Sequence, residues 1–296
     1  MLLVGTTAGL YEVDGGEPRR VLDRAVTCLS GRWALADGRA VLARSEASGA
    51  GAAWADIAAV GDGLRAHCLA AAPGGEEVLV GTSEAHVLRL PAGGGLAPDA
   101  SFDAIPTRDE WYTPWGAPPD TRSLAVAGDG TAFVNVHVGG VWRSTGDGWD
   151  ERVEVDADTH QVVAADGVVL VAAAVGFGMS TDGGETFDWS TDGLHDTYAR
   201  AVALAGDTVL LTASTGPSTS RGAVYRRALD GGPFEKAHAG LPEWFPSNVD
   251  THCLAASGST AAFGTGGGDV WVSTDAGRSW ELAASGLGTV RCVALA

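Results

Sequence analysis

Basic side chains recur at one position of a short motif that occurs seven times in the chain. Each copy has a polar residue in second place and continues with mostly apolar residues, as in AHCLA from Ala66 and VRCVA from Val290. The residues in second place are Thr27, His67, Arg122, His160, Arg200, His252 and Arg291. Arginine binds carboxylate, phosphate or sulfate through a forked pair of donors, and histidine exchanges protons near neutral pH. If the seven positions are equivalent in space, they form a cationic collar that binds an anion.

Other polar and aromatic side chains are expected on the same face. Asn135 and His137 alternate along VNVHVGG towards it. The side chains predicted to bind substrate are Arg122, Arg200, Arg291, Asn135, His67, His195, Trp111, Trp115 and Trp244, and those predicted to be catalytic are His137, His160, His252 and Tyr198. Hydrolysis or elimination suits this set, because either reaction needs only a proton shuttle and a stabilised oxyanion. A second interpretation stays open, in which the collar histidines only satisfy backbone groups between neighbouring repeats.

A metal site is a weaker interpretation of the same histidines. His137, His160 and His252 come from different repeats, and if they converged they would hold zinc, manganese or iron with one position open. Three nearby arginines oppose such an ion by charge repulsion unless an anion lies between them. The sequence therefore assigns no metal ligand and names no cofactor, although a divalent ion at the histidine cluster remains an alternative. Phosphate-binding and dinucleotide-binding motifs are absent.

The spacing of the repeats predicts the elements that position these residues. A repeat of about 30 to 50 residues with several short strands is the size of one four-stranded blade of a β-propeller. The fold class is therefore all-β, a seven-bladed propeller in one domain, 1–296. The predicted blades are 1–25 with 289–296, 26–64, 65–102, 120–156, 157–197, 198–247 and 248–288, with a loop insertion at 103–119. The first and last segments should complete one blade by pairing with each other.

The long irregular segments are predicted to lie on one face of the propeller. They precede innermost strands or join second to third strands, and they are Asp103–Asp120, Leu194–Ala199, Ser214–Gly222 and Gly240–Asp250. Decorated loops on one face of a rigid scaffold are where binding sites are usually built.

Two segments carry the pattern Ser-x-Asp-x-Gly-x-x-aromatic. They run from Ser180 to Phe187 and from Ser273 to Trp280, and STGDGW from Ser144 is a shortened copy. The chain thereby resembles the Asp-box or BNR-repeat propellers, which include sialidases, sortilin-type receptor domains and photosystem-assembly-factor-like proteins. The resemblance implies that Asp182 and Asp275 stabilise turns on the face opposite the ligand site. It does not imply sialidase activity, because the Arg-Ile-Pro motif of those enzymes is missing.

Composition excludes several functional classes. The net charge is −18, and Lys236 is the only lysine. This balance is typical of halophilic proteins, and a GC-rich genome is the alternative origin. Without a basic stripe the chain is not expected to bind nucleic acid, and without a long apolar segment it is expected to be cytoplasmic and not bound to a membrane.

The four cysteines occupy one position of the repeat. They are Cys28, Cys68, Cys253 and Cys292. Equivalent positions lie around a ring, so that disulfides and a compact metal cluster are disfavoured and the thiols are interpreted as small buried side chains.

Two functions remain open at this point. The favoured one is binding of a small anionic or carbohydrate-like ligand at the mouth of the channel, with hydrolase or lyase chemistry if the protein is an enzyme. The alternative is a non-catalytic scaffold that binds a protein partner or assists assembly.

Overall fold

Alternating apolar residues and glycine-rich turns build a ring of seven antiparallel sheets. The computed structural model describes residues 1–45, 53–165 and 167–295. Within these ranges each sheet has four strands, and the strands of a sheet follow one another outwards from the axis. The predicted seven-bladed, all-β propeller is confirmed.

The strands are short, as expected for blades. Blade 1 holds β1 (Leu2–Thr6), β2 (Leu10–Val13) and β3 (Arg19–Leu22); blade 2 holds β4 (Val26–Ser30), β5 (Trp33–Ala36), β6 (Ala40–Arg44) and β7 (Trp54–Ala59); blade 3 holds β8 (Ala66–Ala71), β9 (Glu77–Thr82), β10 (Val87–Pro91) and β11 (Ala97–Pro98); blade 4 holds β12 (Thr121–Val126), β13 (Ala132–Val136), β14 (Gly140–Ser144) and β15 (Trp149–Val153). Blade 5 holds β16 (Thr159–Ala165), β17 (Val168–Ala173), β18 (Gly176–Ser180) and β19 (Asp188–Ser190); blade 6 holds β20 (Tyr198–Ala205), β21 (Thr208–Ser214), β22 (Ala223–Ala228) and β23 (Gly231–Lys236); blade 7 holds β24 (Leu254–Ser257), β25 (Thr260–Gly264), β26 (Val270–Ser273) and β27 (Glu281–Ala284); β28 (Val290–Leu295) returns to blade 1.

Helices are few and short in the described ranges. One α-helical turn, α1, covers Ala100–Asp103, and its N-terminal amides are capped by the side chain of Asp99. Three 3₁₀ turns cover Pro73–Gly75, Pro106–Glu110 and Val155–Ala157. No helix among the described residues is long and apolar enough to cross a bilayer.

The two ends of the chain close the ring by pairing with each other. Strand β28 lies next to β1 in antiparallel register, with Leu2 opposite Leu295 and Gly5 opposite Cys292. The last residue, 296, lies outside the described ranges, as does 46–52 of the predicted second blade. The predicted pairing of the terminal segments is confirmed, and it covers the edge that β1 would otherwise expose.

The cysteines hold neighbouring blades together as buried, unpaired thiols. Cys28 Sγ donates to the carbonyl of Leu69 in the next blade at 3.6 Å, and Cys68 Sγ donates to that of Thr121 at 3.4 Å. Burial raises the pKa of Cys28 to about 11, so this thiol stays protonated. In blade 4 a serine takes the equivalent place, since Ser123 Oγ accepts from the amide of Val162 at 2.9 Å. The predicted absence of disulfides holds for these four residues, which are all free.

A shift in strand register aims the collar residues away from the sheets. In six blades the pairing of the innermost strand with its neighbour skips one residue, as in a β-bulge, where the extra residue is unpaired and its side chain is re-aimed. The skipped residues are Thr27, His67, Arg122, His160, Arg200 and Arg291. Blade 7 differs, because its first strand pair is Leu254 with Phe263.

Candidate functional site

A funnel of about 760 Å³ opens around the axis on the face that carries the long loops. Six of the seven collar positions line it, and His160 is the exception. Arg65, Asp37, Asp250, Asn248 and Ser247 are further polar residues in its wall. The cationic members are therefore four arginines, which are Arg65, Arg122, Arg200 and Arg291.

The start of blade 7 crosses the axis instead of forming a strand. The prediction that the innermost strand of blade 7 begins at Thr251 is wrong, because β24 begins only at Leu254. The Cys253 amide donates to the Asp250 carbonyl at 2.9 Å and closes a turn in which His252 has a left-handed φ of 65°. The His252 ring reaches the carbonyl of Arg122 in blade 4, with Nε2 at 3.2 Å from the oxygen. Since blade 4 is three blades away in a ring of seven, this contact spans the channel.

His252 separates the funnel from a second cavity below it. The lower cavity has a volume of about 350 Å³ and is lined mainly by apolar residues of the innermost strands, such as Leu69, Val162 and Val293. Among the described residues only His252 borders both cavities. Burial lowers the pKa of His252 to about 4, in spite of its hydrogen bond to the Arg122 carbonyl and the nearby Asp250 carboxylate. At neutral pH the His252 ring that separates the two cavities is therefore uncharged.

Two of the predicted anchors share one carboxylate. Arg200 Nη1 lies 3.1 Å from Asp250 Oδ1, and Arg122 Nη2 lies 3.9 Å from the same oxygen. Burial alone would raise the pKa of Asp250, but the two guanidinium groups outweigh it and lower this pKa. Burial and repulsion by Arg200 lower the pKa of Arg122. One carboxylate thus balances part of the charge of two arginines.

The other two arginines of the funnel are free of ion pairs. Arg65 and Arg291 are exposed, and neither guanidinium lies within ion-pair distance of a carboxylate among the described residues. Arg65 was not among the predicted site residues, because it lies one residue before the motif AHCLA. Its position two residues before His67 was the available signal, since alternate residues of an extended segment share a face.

His67 is held at the funnel wall by a carboxylate. Its Nε2 lies 3.4 Å from Asp120 Oδ1, and both side chains are about one-third exposed. Burial lowers the pKa of His67, and the nearby Arg65 and Arg122 add to this effect against the attraction of Asp120.

A second group of predicted residues lies between blades 4, 5 and 6. His137 Nε2 is 3.4 Å from Asp158 Oδ1, and His160 Nε2 is 3.6 Å from the same oxygen. The exposed Trp115 ring covers His137 at 5.0 Å between ring centroids, and Tyr198 lies against His160 at 4.7 Å. Burial, together with Arg122 and Arg200, lowers the pKa of His160 to about 3. Of the three histidines considered as an alternative metal site, this group contains His137 and His160; Asp158 takes the third place and His252 does not belong to it.

A third group lies on the blade 6 loops. His195 Nδ1 is 2.6 Å from the Tyr225 hydroxyl, and its Nε2 is 3.0 Å from the Arg221 carbonyl. Because the carbonyl only accepts, Nε2 donates and Nδ1 accepts from Tyr225. Trp244 packs on His195 at 4.6 Å and also contacts the Lys236 ammonium group at 3.4 Å from the ring centroid. None of these side chains lines the funnel.

Two further predicted residues belong to the core between blades. Trp111 is buried and packs against Phe102 and Trp142 at 5.8 and 5.5 Å between centroids. Asn135 is fully buried, donates to Ser123 Oγ at 3.2 Å and accepts from the Thr159 hydroxyl at 2.5 Å. Neither side chain borders the funnel, because each satisfies packing or hydrogen bonds inside the blades.

The two Asp-box segments form turns between third and fourth strands, on the opposite face. In the second copy, Asp275 accepts from the amide and hydroxyl of Ser279, and Ser273 Oγ donates to Asp275 and accepts from the Gly277 amide. These hydrogen bonds hold the pKa of Asp275 far below its ordinary range. Gly277 has a φ of 78°, and a side chain there would lie 2.6 Å from Leu210 of blade 6. The turn therefore docks on the preceding blade, which is a structural role.

Several solved structures resemble the chain at low sequence identity. The tricorn protease matches with a TM-score of 0.55 and 13% identity, over 90% of this chain and 26% of that one, so the chain spans about a quarter of its length. The WD40 repeats of RRP9 match with a TM-score of 0.63 and 13% identity, over 96% of this chain and 86% of that one. YCF48 bound to D1 peptide matches with a TM-score of 0.53 and 13% identity, over 95% and 84%.

No protein-family model and no curated protein matches the chain. The resemblance to Asp-box propellers therefore stays a prediction as far as family membership is concerned, and the similarities to solved structures show the propeller fold alone.

Proposed function

We propose that the protein is a binding propeller that anchors a carboxylate of a protein partner's acidic, extended segment in the funnel. The observation that carries the proposal is that Arg65 and Arg291 line the funnel and form no ion pair with any described residue. Charge-assisted hydrogen bonds from arginine to a carboxylate are among the strongest polar contacts that a protein surface offers.

The charges in the funnel support two unequal sites for an anion. Asp250 already neutralises part of the charge of Arg122 and Arg200, at 3.9 and 3.1 Å. Arg65 and Arg291 carry no such partner among the described residues, so an incoming carboxylate displaces no internal ion pair there. They belong to blades 3 and 1, with Thr27 of blade 2 between them. We therefore assign the anchoring role to Arg65 and Arg291, and an orienting role to Arg122 and Arg200.

The state of the histidines favours binding over catalysis. Two of the predicted proton-transfer groups are committed to backbone carbonyls, since His160 Nδ1 lies 2.5 Å from Ala199 O and His252 Nε2 lies 3.2 Å from Arg122 O. Their pKa values of about 3 and about 4 are far from neutrality, where a general acid or base works best. His252, the predicted catalytic histidine that lines the funnel, is therefore poorly suited to transfer protons in a hydrolase or lyase reaction.

The aromatic rings around the funnel favour a segment of a protein over a small molecule. They lie outside the funnel on the surrounding loops, with Trp115 64% exposed and Trp244 partly exposed. Aromatic and arginine side chains are the residues that most often dominate protein–protein interfaces. YCF48, one of the structural neighbours, was solved bound to a peptide.

Fluorescence anisotropy with labelled peptides tests the proposal. The probe is a pool of N-acetylated, C-amidated heptapeptides with Asp or Glu at the centre, and the control probe is the same pool with Asn or Gln. The native protein should bind the acidic pool better. The double variant Arg65→Gln/Arg291→Gln should weaken that binding by about tenfold or more, because it removes two charge-assisted contacts.

The matched control is Arg226→Gln, since Arg226 is paired with Glu235 on the outer strands of blade 6 at 3.3 Å and should not affect binding. Equal binding of both pools, or unchanged binding by the double variant, would refute the proposal. If free succinate or a free sugar acid competes at concentrations similar to those at which the peptides bind, the ligand is a small anion and not a segment of a protein partner.

A further inference from the structure

The cluster beneath Trp115 has the donor set and spacing of a metal site. His137 Nε2, Asp158 Oδ1 and His160 Nε2 all lie within 4.8 Å of one another. In a tetrahedral zinc site with bonds of about 2.0–2.1 Å, neighbouring ligand atoms are about 3.3 Å apart. The observed separations of 3.4 and 3.6 Å from Asp158 to the two histidines are close to this value.

The hydrogen bond on the far side of His160 prepares the ring to bind a cation. Its Nδ1 lies 2.5 Å from the carbonyl oxygen of Ala199, which can only accept, so Nδ1 carries the proton and the neutral ring presents a lone pair on Nε2. Histidine ligands of metals are usually oriented by such a bond from the other ring nitrogen. Here it is supplied by β20 of the next blade.

The ligand nitrogen of His160 is not satisfied by a hydrogen bond. His160 is fully buried, and its Nε2 makes no hydrogen bond with any described residue; the same holds for Asp158 Oδ1. Buried polar atoms without a protein partner are uncommon in folded proteins, and where they occur they often face a bound water or ion. Both atoms lie within 4.8 Å of each other and of His137 Nε2.

The geometry points to a divalent metal site of the zinc class, with His137 Nε2, Asp158 Oδ1 and His160 Nε2 as three protein ligands and a fourth position open to water or an anion. Two nitrogen donors and one carboxylate suit zinc and its first-row neighbours better than calcium or magnesium, which prefer oxygen ligands. The site is separate from the anchoring arginines and does not depend on the proposed function.

Neighbouring charges shape the open position. Arg122 and Arg200 lie close enough to act on His160, and Asp250 balances part of their charge. An excess of positive charge remains next to the cluster, which favours an anionic fourth ligand over a neutral one. Trp115 over His137 and Tyr198 beside His160 restrict access from the loop side.

Titration of the metal-free protein with Co²⁺ tests the site, with an excess of Mg²⁺ present to occupy surface carboxylates. Tetrahedral Co²⁺ gives intense visible absorption bands, so the readout reports geometry as well as binding. The native protein should bind one Co²⁺ per chain with this spectrum, and Zn²⁺ should displace it. His137→Ala and Asp158→Asn should each weaken binding by more than about tenfold, because the first removes a ligand and the second replaces a charged ligand oxygen by a neutral one.

The variants are chosen so that the fold survives. Asp158 has a left-handed φ of 46°, a conformation that asparagine tolerates. The matched control is His86→Ala, because His86 also faces a carboxylate, Asp103 at 2.7 Å, but has no second imidazole beside it. Failure of the native protein to bind Co²⁺, an octahedral spectrum, or equal binding by all three variants would overturn the inference and leave an ion-pair cluster of two histidines with Asp158.

Discussion

A single residue, His252, closes the channel between the funnel and the lower cavity. Its ring crosses the axis and bonds the Arg122 carbonyl, while its amide donates to the side-chain oxygen of Gln161 at 3.1 Å. These contacts join blade 7 to blades 4 and 5, which are not its neighbours in the ring. The residue therefore ties the inner rim together and also provides the floor of the funnel.

Stability should depend on pH through this residue. The folded pKa of His252 is about 4, below the ordinary value of 6.5, because partial burial disfavours the charged form of the ring. Between these values the unfolded chain binds a proton that the folded chain does not. The free energy of unfolding is therefore fully retained above pH 6.5 and falls as the pH drops towards 4, by about 1.4 kcal/mol per unit at most for this group.

Urea unfolding at several pH values measures this effect. The slope between pH 6.5 and 4 should be shallower in His252→Gln than in the native protein, with exposed His238→Gln as the control for loss of an imidazole. Parallel slopes for the native protein and His252→Gln would show that the ring is not buried in neutral form.

Sequence alone could not separate the two copies of Asp-Thr-His. In the first copy His160 is the unpaired residue at the start of β16, whereas in the second His252 is left-handed and precedes its strand. The difference depends on partners far away in the chain. The Thr251 hydroxyl donates to the carbonyl of His160 at 3.3 Å, a contact across 91 residues.

At the scale of secondary-structure elements, the two faces of the propeller differ in function. Register shifts shape the face that carries the funnel, and the Asp-box turns stabilise the opposite face. The shift at the start of six innermost strands turns collar side chains away from the sheets, while the two Asp-box turns dock the outer hairpins of blades 5 and 7 on the preceding blades. In the first copy, a side chain at Gly184 would lie 2.4 Å from Phe133 of blade 4, just as Gly277 lies against Leu210. One face can therefore vary in its loops while the other holds the ring.

Loss of one turn hydroxyl should destabilise the ring measurably. Ser273 is buried, and its hydroxyl both donates to Asp275 and accepts from the Gly277 amide at 2.9 Å. Ser273→Ala should lower the free energy of unfolding by about 1–3 kcal/mol, because a buried amide loses its acceptor. Exposed Thr274→Ala is the control in the same turn, and chemical denaturation is the measurement. An equal, small effect of both substitutions would mean that the turn does not hold the blade.

The repeats made the strands and the turns predictable, but not the register shifts. Seven polar-then-apolar motifs indicated the number of blades, and the spacing from Ser180 to Phe187 identified a turn. The shift at Arg122 is a property of how β12 pairs with β13, where Thr121 lies opposite Val136 and Ser123 lies opposite Asn135. Arg65 was missed for a related reason, since it reaches the funnel from outside the repeated motif.

At the scale of the whole molecule, the funnel is a cationic exception on an acidic protein. The net charge is −18, yet four arginines meet in one cavity. Repulsion among surface carboxylates opposes the compact state, and salt screens it over a Debye length of about 3 Å at 1 M. The same screening weakens the attraction of the funnel for an anion.

Stability should therefore rise with salt while peptide binding falls. Added KCl should raise the midpoint of thermal unfolding, whereas sorbitol at the same osmolality should raise it less, because only the salt screens charge. An unfolding midpoint that responds equally to both solutes would favour biased codon usage over adaptation to salt as the origin of the composition.

Hydrogen–deuterium exchange with the tightest acidic heptapeptide of the pool tests the central claim, that the partner binds on the loop face and over the funnel. Protection is predicted in 64–67, 215–222, 247–252 and 289–291, which contribute to the funnel wall or its surrounding loops. Protection confined to the turns at 181–186 and 274–279 on the opposite face, with none around the funnel, would contradict it.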